Sequence, residues 1–225
     1  MIAEDLLNQM IPPLKVSDTV GKAAKWLEEF HVSQLPVLEN RTYRGLVTDA
    51  DLLDFERAEE NNQLLSDLPL GFTDAHVQHD QHFYSILEVA IQNKIQLVPV
   101  LDDQHEYVGV VTVSDTLAAF GQTPIAIGQG AVIVMSMEER DYSLATISRY
   151  IEENNAKVLS AHVAQDEHDP YRIRLTLKVN TPSLTRIAAT FERFGYVITA
   201  QFNGVSELGE NEQERYDALL KYLSL

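Results

Sequence analysis

Between Arg172 and Val179 apolar and polar residues alternate without a break. Ile173, Leu175, Leu177 and Val179 fall on one side of an extended chain, and Arg172, Arg174, Thr176 and Lys178 on the other. Successive side chains of a strand point to opposite faces, so this predicts a strand with one buried face. Around it the period shifts in an ordered way. Ala131 to Met137 predicts a strand, and Leu144, Ile147 and Ile151 recur at helical spacing behind Asp141, the expected N-cap. Lys157 to Ala164 predicts a second strand, closed by a turn over residues 166–170. Ser183 is expected to cap a helix with Leu184, Ile187, Ala188 and Phe191 inside, ended by Gly195, before a last strand from Tyr196 to Phe202. Residues 206–225 open on Glu207, Glu210, Glu212 and Glu214. They then place Tyr216, Leu219, Leu220 and Leu223 at the i, i+3, i+4, i+7 spacing of an amphipathic helix, expected to pack within a homodimer.

The first half carries a different pattern, and it occurs twice. Tyr43-Arg44-Gly45-Leu46-Val47-Thr48-Asp49-Ala50-Asp51 is answered by Tyr107-Val108-Gly109-Val110-Val111-Thr112-Val113-Ser114-Asp115, a step of 64 residues from Gly45 to Gly109. Leu35-Pro36-Val37-Leu38 is answered by Val98-Pro99-Val100-Leu101, a step of 63. Such a repeat marks a duplicated supersecondary unit whose copies bury their faces against each other. Each copy predicts a short buried strand opened by Gly and closed by Thr at a strand-to-helix junction. Thr can cap the helix there, and Asp three residues on sits in its first turn, where a carboxylate is favoured and is able to accept ribose hydroxyls. Upstream, Leu6, Leu7, Met10 and Ile11 predict a short amphipathic helix over residues 2–11, ended by Pro12-Pro13. Leu14-Lys15-Val16 predicts an extended entry, and Ser17-Asp18 an N-cap for a helix carrying Val20, Ala23, Ala24, Leu27 and Phe30. The helix answering it starts at Gln81-His82, and the polar run Glu56 to Asn62 links the copies.

At these residues the chain resembles a CBS-domain pair, the Bateman module, over about residues 1–120. The resemblance implies a cleft between repeats that binds an adenosine-containing ligand. Thr48 and Thr112 would contact phosphate, Asp51 and Asp115 would hold ribose, and Leu35, Pro36, Val98, Pro99 and Val16 would belong to the base pocket. The βαββαβ order of residues 130–203 is the ferredoxin-like arrangement, to which right-handed crossovers leave few alternatives. It looks like an ACT domain, with Ser143 where that family's ligand turn has Gly; a Cβ there narrows backbone approach. The succession of the two resembles the acetoin-utilisation regulatory proteins. The expected fold class is therefore α+β: tandem CBS repeats at 1–62 and 63–122, an ACT-like domain at 130–203 and a C-terminal helix at 206–225.

Composition narrows the function. The chain has 225 residues, 45% hydrophobic, with 34 acidic against 17 basic side chains and a net charge of −17. Such a balance repels nucleic acid and anionic membrane surfaces. Without cysteine there is neither a disulfide nor a thiolate metal site. The start of the chain lacks the pattern of a signal peptide and no apolar run is long enough to span a bilayer, so a cytoplasmic location is expected. His76, His79 and His82 would alternate in direction along an extended segment, so no metal site is expected. His31 precedes the Leu35 strand and is expected to pack under its loop. No nucleophile elbow, Walker loop or zinc-protease motif is present, so no catalysis and no required cofactor are expected. The spacers Asp49-Ala50 and Val113-Ser114 hold no cation, while Asp49 and Asp54 add negative charge. Each like-charge contact a few Å apart costs about 1–4 kcal/mol, which favours AMP, adenosine or S-adenosylmethionine over ATP. The expectation is a homodimeric sensor acting on an unidentified regulated protein; the alternative is a ligand-free oligomerisation scaffold.

Overall fold

The computed structural model describes residues 1–53, 55, 62–127, 129–166 and 169–204. The expected helix at 206–225 lies outside these. The chain divides after Phe120 into two compact units.

In the first unit the repeat is visible element by element. Copy one comprises β1 (Leu14–Lys15), α1 (Val20–Glu29), β2 (Gln34–Glu39), β3 (Thr42–Thr48) and the single turn α2 (Asp49–Leu52). Copy two comprises β4 (Val77–Gln78), α3 (Phe83–Asn93), β5 (Leu97–Leu101), β6 (Tyr107–Thr112) and α4 (Val113–Gly121). In each, a two-residue strand pairs parallel with the next strand, which pairs antiparallel with the third. The step changes from 63 to 64 at the hairpin. Leu38 to Tyr43 spans five positions and Leu101 to Tyr107 six, so the second hairpin loop is one residue longer. His31 and Lys94 follow α1 and α3 at equivalent places and both adopt the left-handed conformation, φ 52° and 56°. Thr42 forms a bridge with Glu106, its own counterpart 64 residues on, as residues at a pseudo-two-fold axis must. The Gln96 amide donates to Gln34 Oε1 at 3.1 Å across the same junction.

Two straps close the unit, each lying on the copy it does not precede. Residues 1–8 run along the second copy: the Ala3 amide donates to Gln81 O, and that of Asn8 to Val110 O. Residues 63–71 run along the first copy: the Leu65 amide donates to Asp18 O, and Leu46 donates to Gly71 O. Ala3 and Leu6 thereby join the core built on Val98, Val100, Val110 and Val111, while Leu65 joins that of Leu14, Leu35, Val37 and Val47. The first strap corrects the helix expected over residues 2–11. Only Ala3–Leu6 form a 3-10 turn, because pairing to a distant strand satisfies the backbone that a helix would have satisfied locally. The N-cap of α1 is Thr19, whose side chain accepts from the Lys22 amide, and not Ser17-Asp18; Asp18 instead binds Lys22 Nζ at 2.9 Å.

The second unit holds α5 (Pro124–Ile127), β7 (Ala131–Glu138), α6 (Leu144–Glu153), β8 (Val158–Gln165), β9 (Arg172–Val179), α7 (Thr185–Arg193) and β10 (Val197–Phe202). The sheet order is β10-β7-β9-β8, all antiparallel, which is the ferredoxin-like order. The alternation read from the sequence is the burial pattern: Ile173, Leu175, Leu177 and Val179 face Ile147, Ile151, Ile187 and Phe191 in the core. Two caps differ from expectation. Ser143, not Asp141, accepts from the Thr146 amide to start α6, and the position before α7 is Leu184, whose amide is bonded by Asn203 Oδ1.

Candidate functional site

Thr48 and Asp51 form a closed capping box at the end of β3. Thr48 Oγ1 accepts from the Asp51 amide at 3.2 Å, while Asp51 Oδ2 accepts from the Thr48 amide and hydroxyl, both at 2.8 Å. The exchange fixes the Asp51 rotamer and buries Thr48 to 8% exposure, leaving Asp51 exposed. In the second copy Asp115 Oδ2 accepts from Thr112 Oγ1 at 2.7 Å and Thr112 Oγ1 accepts from the Asp115 amide at 2.9 Å. Here a third group enters: Asn8 Nδ2 donates to Asp115 Oδ2 at 2.8 Å.

Among the described residues Asp51 and Thr112 line different cavities. Asp51 and Ala50 line a cavity of about 360 Å³ walled by Val47, Phe55, Leu68, Pro69 and Leu70. Thr112 lines another of about 440 Å³, with His31 to Gln34, Gln96, Leu97, Val113 and Ser114. His31 is exposed there and does not pack under its loop. Val16 lines a third, of about 530 Å³, together with Tyr43, Arg44 and Ser66; Leu68 and Leu70 of the strap separate it from the Asp51 cavity by lining both. Leu35 and Val98 are fully buried, and Pro36 and Pro99 are buried beside them in β2 and β5. The apolar wall at Asp51 is supplied instead by the strap. Its Leu68-Pro69-Leu70 has the same apolar-Pro-apolar composition as Leu35-Pro36-Val37, the one signal by which the sequence announced it.

Three described cations of the first copy are held elsewhere. Lys22 pairs with Asp18 and lies 4.1 Å from the centre of the Trp26 ring; Arg41 Nε is 2.9 Å from Glu106, and Arg44 Nε 3.4 Å from Glu39. Asp18 is held below the ordinary carboxylate range: burial works against this, and the Lys22 bond and the Lys15 amide overcome it. Among the described residues no three His or carboxylate side chains converge as metal ligands. His79 lies between Asp103 (3.3 Å) and Glu4 (3.4 Å), whose carboxylates raise its pKa. No helix among the described residues is long and apolar enough to cross a membrane.

The CBS domain family model matches residues 3–57 and again residues 73–121, the two copies just described. Residues 3–57 and 73–121 form a CBS-domain pair. Two curated relatives match the same half of the chain. Inosine-5'-monophosphate dehydrogenase of Methanocaldococcus jannaschii is 24% identical over 116 residues, 51% of this chain and 23% of that protein. Homoserine O-acetyltransferase of Methanosarcina acetivorans is 25% identical over 126 residues, 54% and 22% respectively. The chain thus spans less than a quarter of the length of either. Among solved structures, a CBS domain pair/ACT domain protein of Thermotoga maritima is similar with TM-score 0.48 and 21% identity, over 53% of this chain and 96% of that one. The CBS-pair protein CBSX2 of Arabidopsis thaliana gives 0.45 and 23%, over 54% and 94%.

Proposed function

We propose that the CBS pair is the sensory half of a non-catalytic regulatory protein and binds an adenosine-type ligand at Asp51. The observation that carries this reading is a preoriented carboxylate on the rim of a cavity with apolar walls. One carboxylate oxygen is spent on fixing its own rotamer, and the group remains exposed to a diol. Val47, Phe55, Leu68, Pro69 and Leu70 offer a planar base the apolar contact that small-molecule sites use, with few polar groups to set orientation. Among the described residues no cation lines this cavity, and Lys22, Arg41 and Arg44 are engaged elsewhere, which favours a ligand with little negative charge: AMP, adenosine or S-adenosylmethionine ahead of ATP.

In this reading Leu35 and Pro36 contribute as support beneath the site, Val98 and Pro99 hold the same place in the second copy, and Val16 lines the neighbouring cavity. Thr112 and Asp115 are the second copy's counterparts. The ferredoxin-like unit is ACT-like and, with Ser143 capping α6, serves dimerisation rather than amino-acid binding; its place after a CBS pair resembles the domain order of the acetoin-utilisation regulatory proteins. The protein acts in the cytoplasm, as a homodimer whose arrangement responds to the ligand through differential affinity. Calorimetric titration of the full chain tests this. AMP or adenosine is expected to bind, and Asp51→Asn to weaken binding at least tenfold, since charge-assisted hydrogen bonds contribute about 1.5–3 kcal/mol each. ATP binding more tightly than AMP, or Asp51→Asn binding unchanged, refutes it.

A further inference from the structure

The two copies are not equally open. The straps meet the copies at equivalent points: Gly71 forms an antiparallel bridge with Leu46 and Asn8 one with Val110, the residues 64 apart that follow Gly45 and Gly109. At this point the first copy faces a residue without a side chain and the second faces an amide. Asn8 is fixed at both ends. Its Oδ1 accepts from the Met10 amide at 2.9 Å, which aims Nδ2 at Asp115 Oδ2, 2.8 Å away. Asp115 is the more enclosed of the two carboxylates, and the cavity at Thr112 is lined by Val113 and Ser114 without it. The first copy has Gly71 in the place of Asn8, and its Asp51 lines a cavity.

We propose that Asn8 is a built-in latch that occupies the ribose-holding carboxylate of the second copy, so that the chain binds one adenosine-type ligand, at Asp51, and none at Asp115. The proposal rests on the reading of Asp51 as the ribose carboxylate. Its logic is access: Asn8 Nδ2 and Thr112 Oγ1 share Oδ2, and the Asn8 side chain, held against the carboxylate at no cost in association entropy, must be displaced before a sugar diol reaches it. The strap that precedes the first copy thereby decides the occupancy of the second.

Exchanging the two residues tests this. A Cβ on Gly71 meets nothing within 4 Å, so a side chain can start there without a clash. The full chain is titrated with AMP, and folding of each variant is checked by the fluorescence of Trp26, the single tryptophan. Wild type is expected to bind one AMP per chain and Asn8→Gly two, whereas Gly71→Asn is expected to lose at least tenfold in affinity. In the double exchange one site is expected again, now abolished by Asp115→Asn and insensitive to Asp51→Asn. Two AMP per wild-type chain, or a single site in Asn8→Gly, overturns the latch and leaves the sensor reading standing. No AMP heat in any variant overturns the sensor reading and the latch with it. Independently of ligand, the Asn8 side-chain amide protons are expected to exchange slowly and to lose that protection in Asp115→Ala; free exchange in wild type also overturns the latch.

Discussion

Gly45 and Gly109 occupy the same place in the repeat, yet the structure predicts opposite tolerance to alanine. Gly45 has φ +141°, where an L side chain is strained, and a Cβ there would press on the Gly71 carbonyl oxygen and stand 3.1 Å from Leu70 Cβ. Those are backbone and near-backbone atoms of the strap, and they cannot swing aside. At Gly109 the φ is ordinary for any residue, and the nearest obstacle is Leu7 Cδ2 at 2.9 Å, the far end of a flexible side chain. For Gly45→Ala, the conformational strain costs about 1–3 kcal/mol and displacement of the strap a further 1–3 kcal/mol. The total of about 2–6 kcal/mol is a large part of the 5–15 kcal/mol typical of a folded protein. For Gly109→Ala the leucine yields, and alanine's lower chain entropy in the unfolded state returns about 0.5–1 kcal/mol, so the net change stays within about 1 kcal/mol. Urea unfolding followed by Trp26 fluorescence reads the first unit specifically, because that tryptophan lies in α1. A fall in the Gly45→Ala midpoint by more than twice the Gly109→Ala change is expected. Equal changes would refute the claim that the linker strap is locked to the first copy through its backbone.

Tyr43 and Tyr107 are a second matched pair. The Tyr43 hydroxyl donates to Phe72 O at 2.8 Å, whereas that of Tyr107 is buried with no hydrogen-bond partner among the described residues. Tyr43→Phe is therefore expected to destabilise by about 1–2 kcal/mol in the same urea assay and Tyr107→Phe by less than 0.5 kcal/mol or not at all. Thr48→Ala, which removes the cap of α2, is expected to cost about 0.5–2 kcal/mol. For His79, proton NMR titration should give a pKa above the ordinary 6.5, lowered more by Asp103→Asn than by Glu4→Gln. A raised folded-state pKa means that the stabilisation is complete below pH 6.5 and disappears as pH rises through the folded value. The pH dependence of stability across that window should flatten in His79→Gln.

The duplication and the ferredoxin-like order were legible because both rest on local pattern. The Gly-x-x-Thr-x-x-Asp spacing keeps its internal register however the copies are placed, and the alternation at Arg172–Val179 fixes which face is buried. What depended on distant pairing was hidden. Leu6 and Leu7 have helical spacing, yet they enter the core of a copy some hundred residues away, and an extended strap does this while a helix does not. Ser17-Asp18-Thr19 offers three cap formers and Asp141-Tyr142-Ser143 two, and which one caps is decided by the Asp18–Lys22 ion pair in the first and by helix position in the second. Leu35 and Val98 carry the motif's Pro-Val signature, but sequence does not say that both faces of β2 and β5 are covered. Asn8 belongs to no motif at all; only the register of the strap brings it to Asp115.

An adenosine-type ligand held by Asp51 must also meet the Ala50 methyl, which lines the same cavity one residue away. With the methyl-labelled chain titrated with AMP, saturable shifts are expected at Ala50, Val47 and Leu70. Nuclear Overhauser contacts from the ligand to these methyls are expected as well. Ala50 unmoved at saturating AMP, or shifts confined to methyls of residues 131–202, would contradict binding at Asp51.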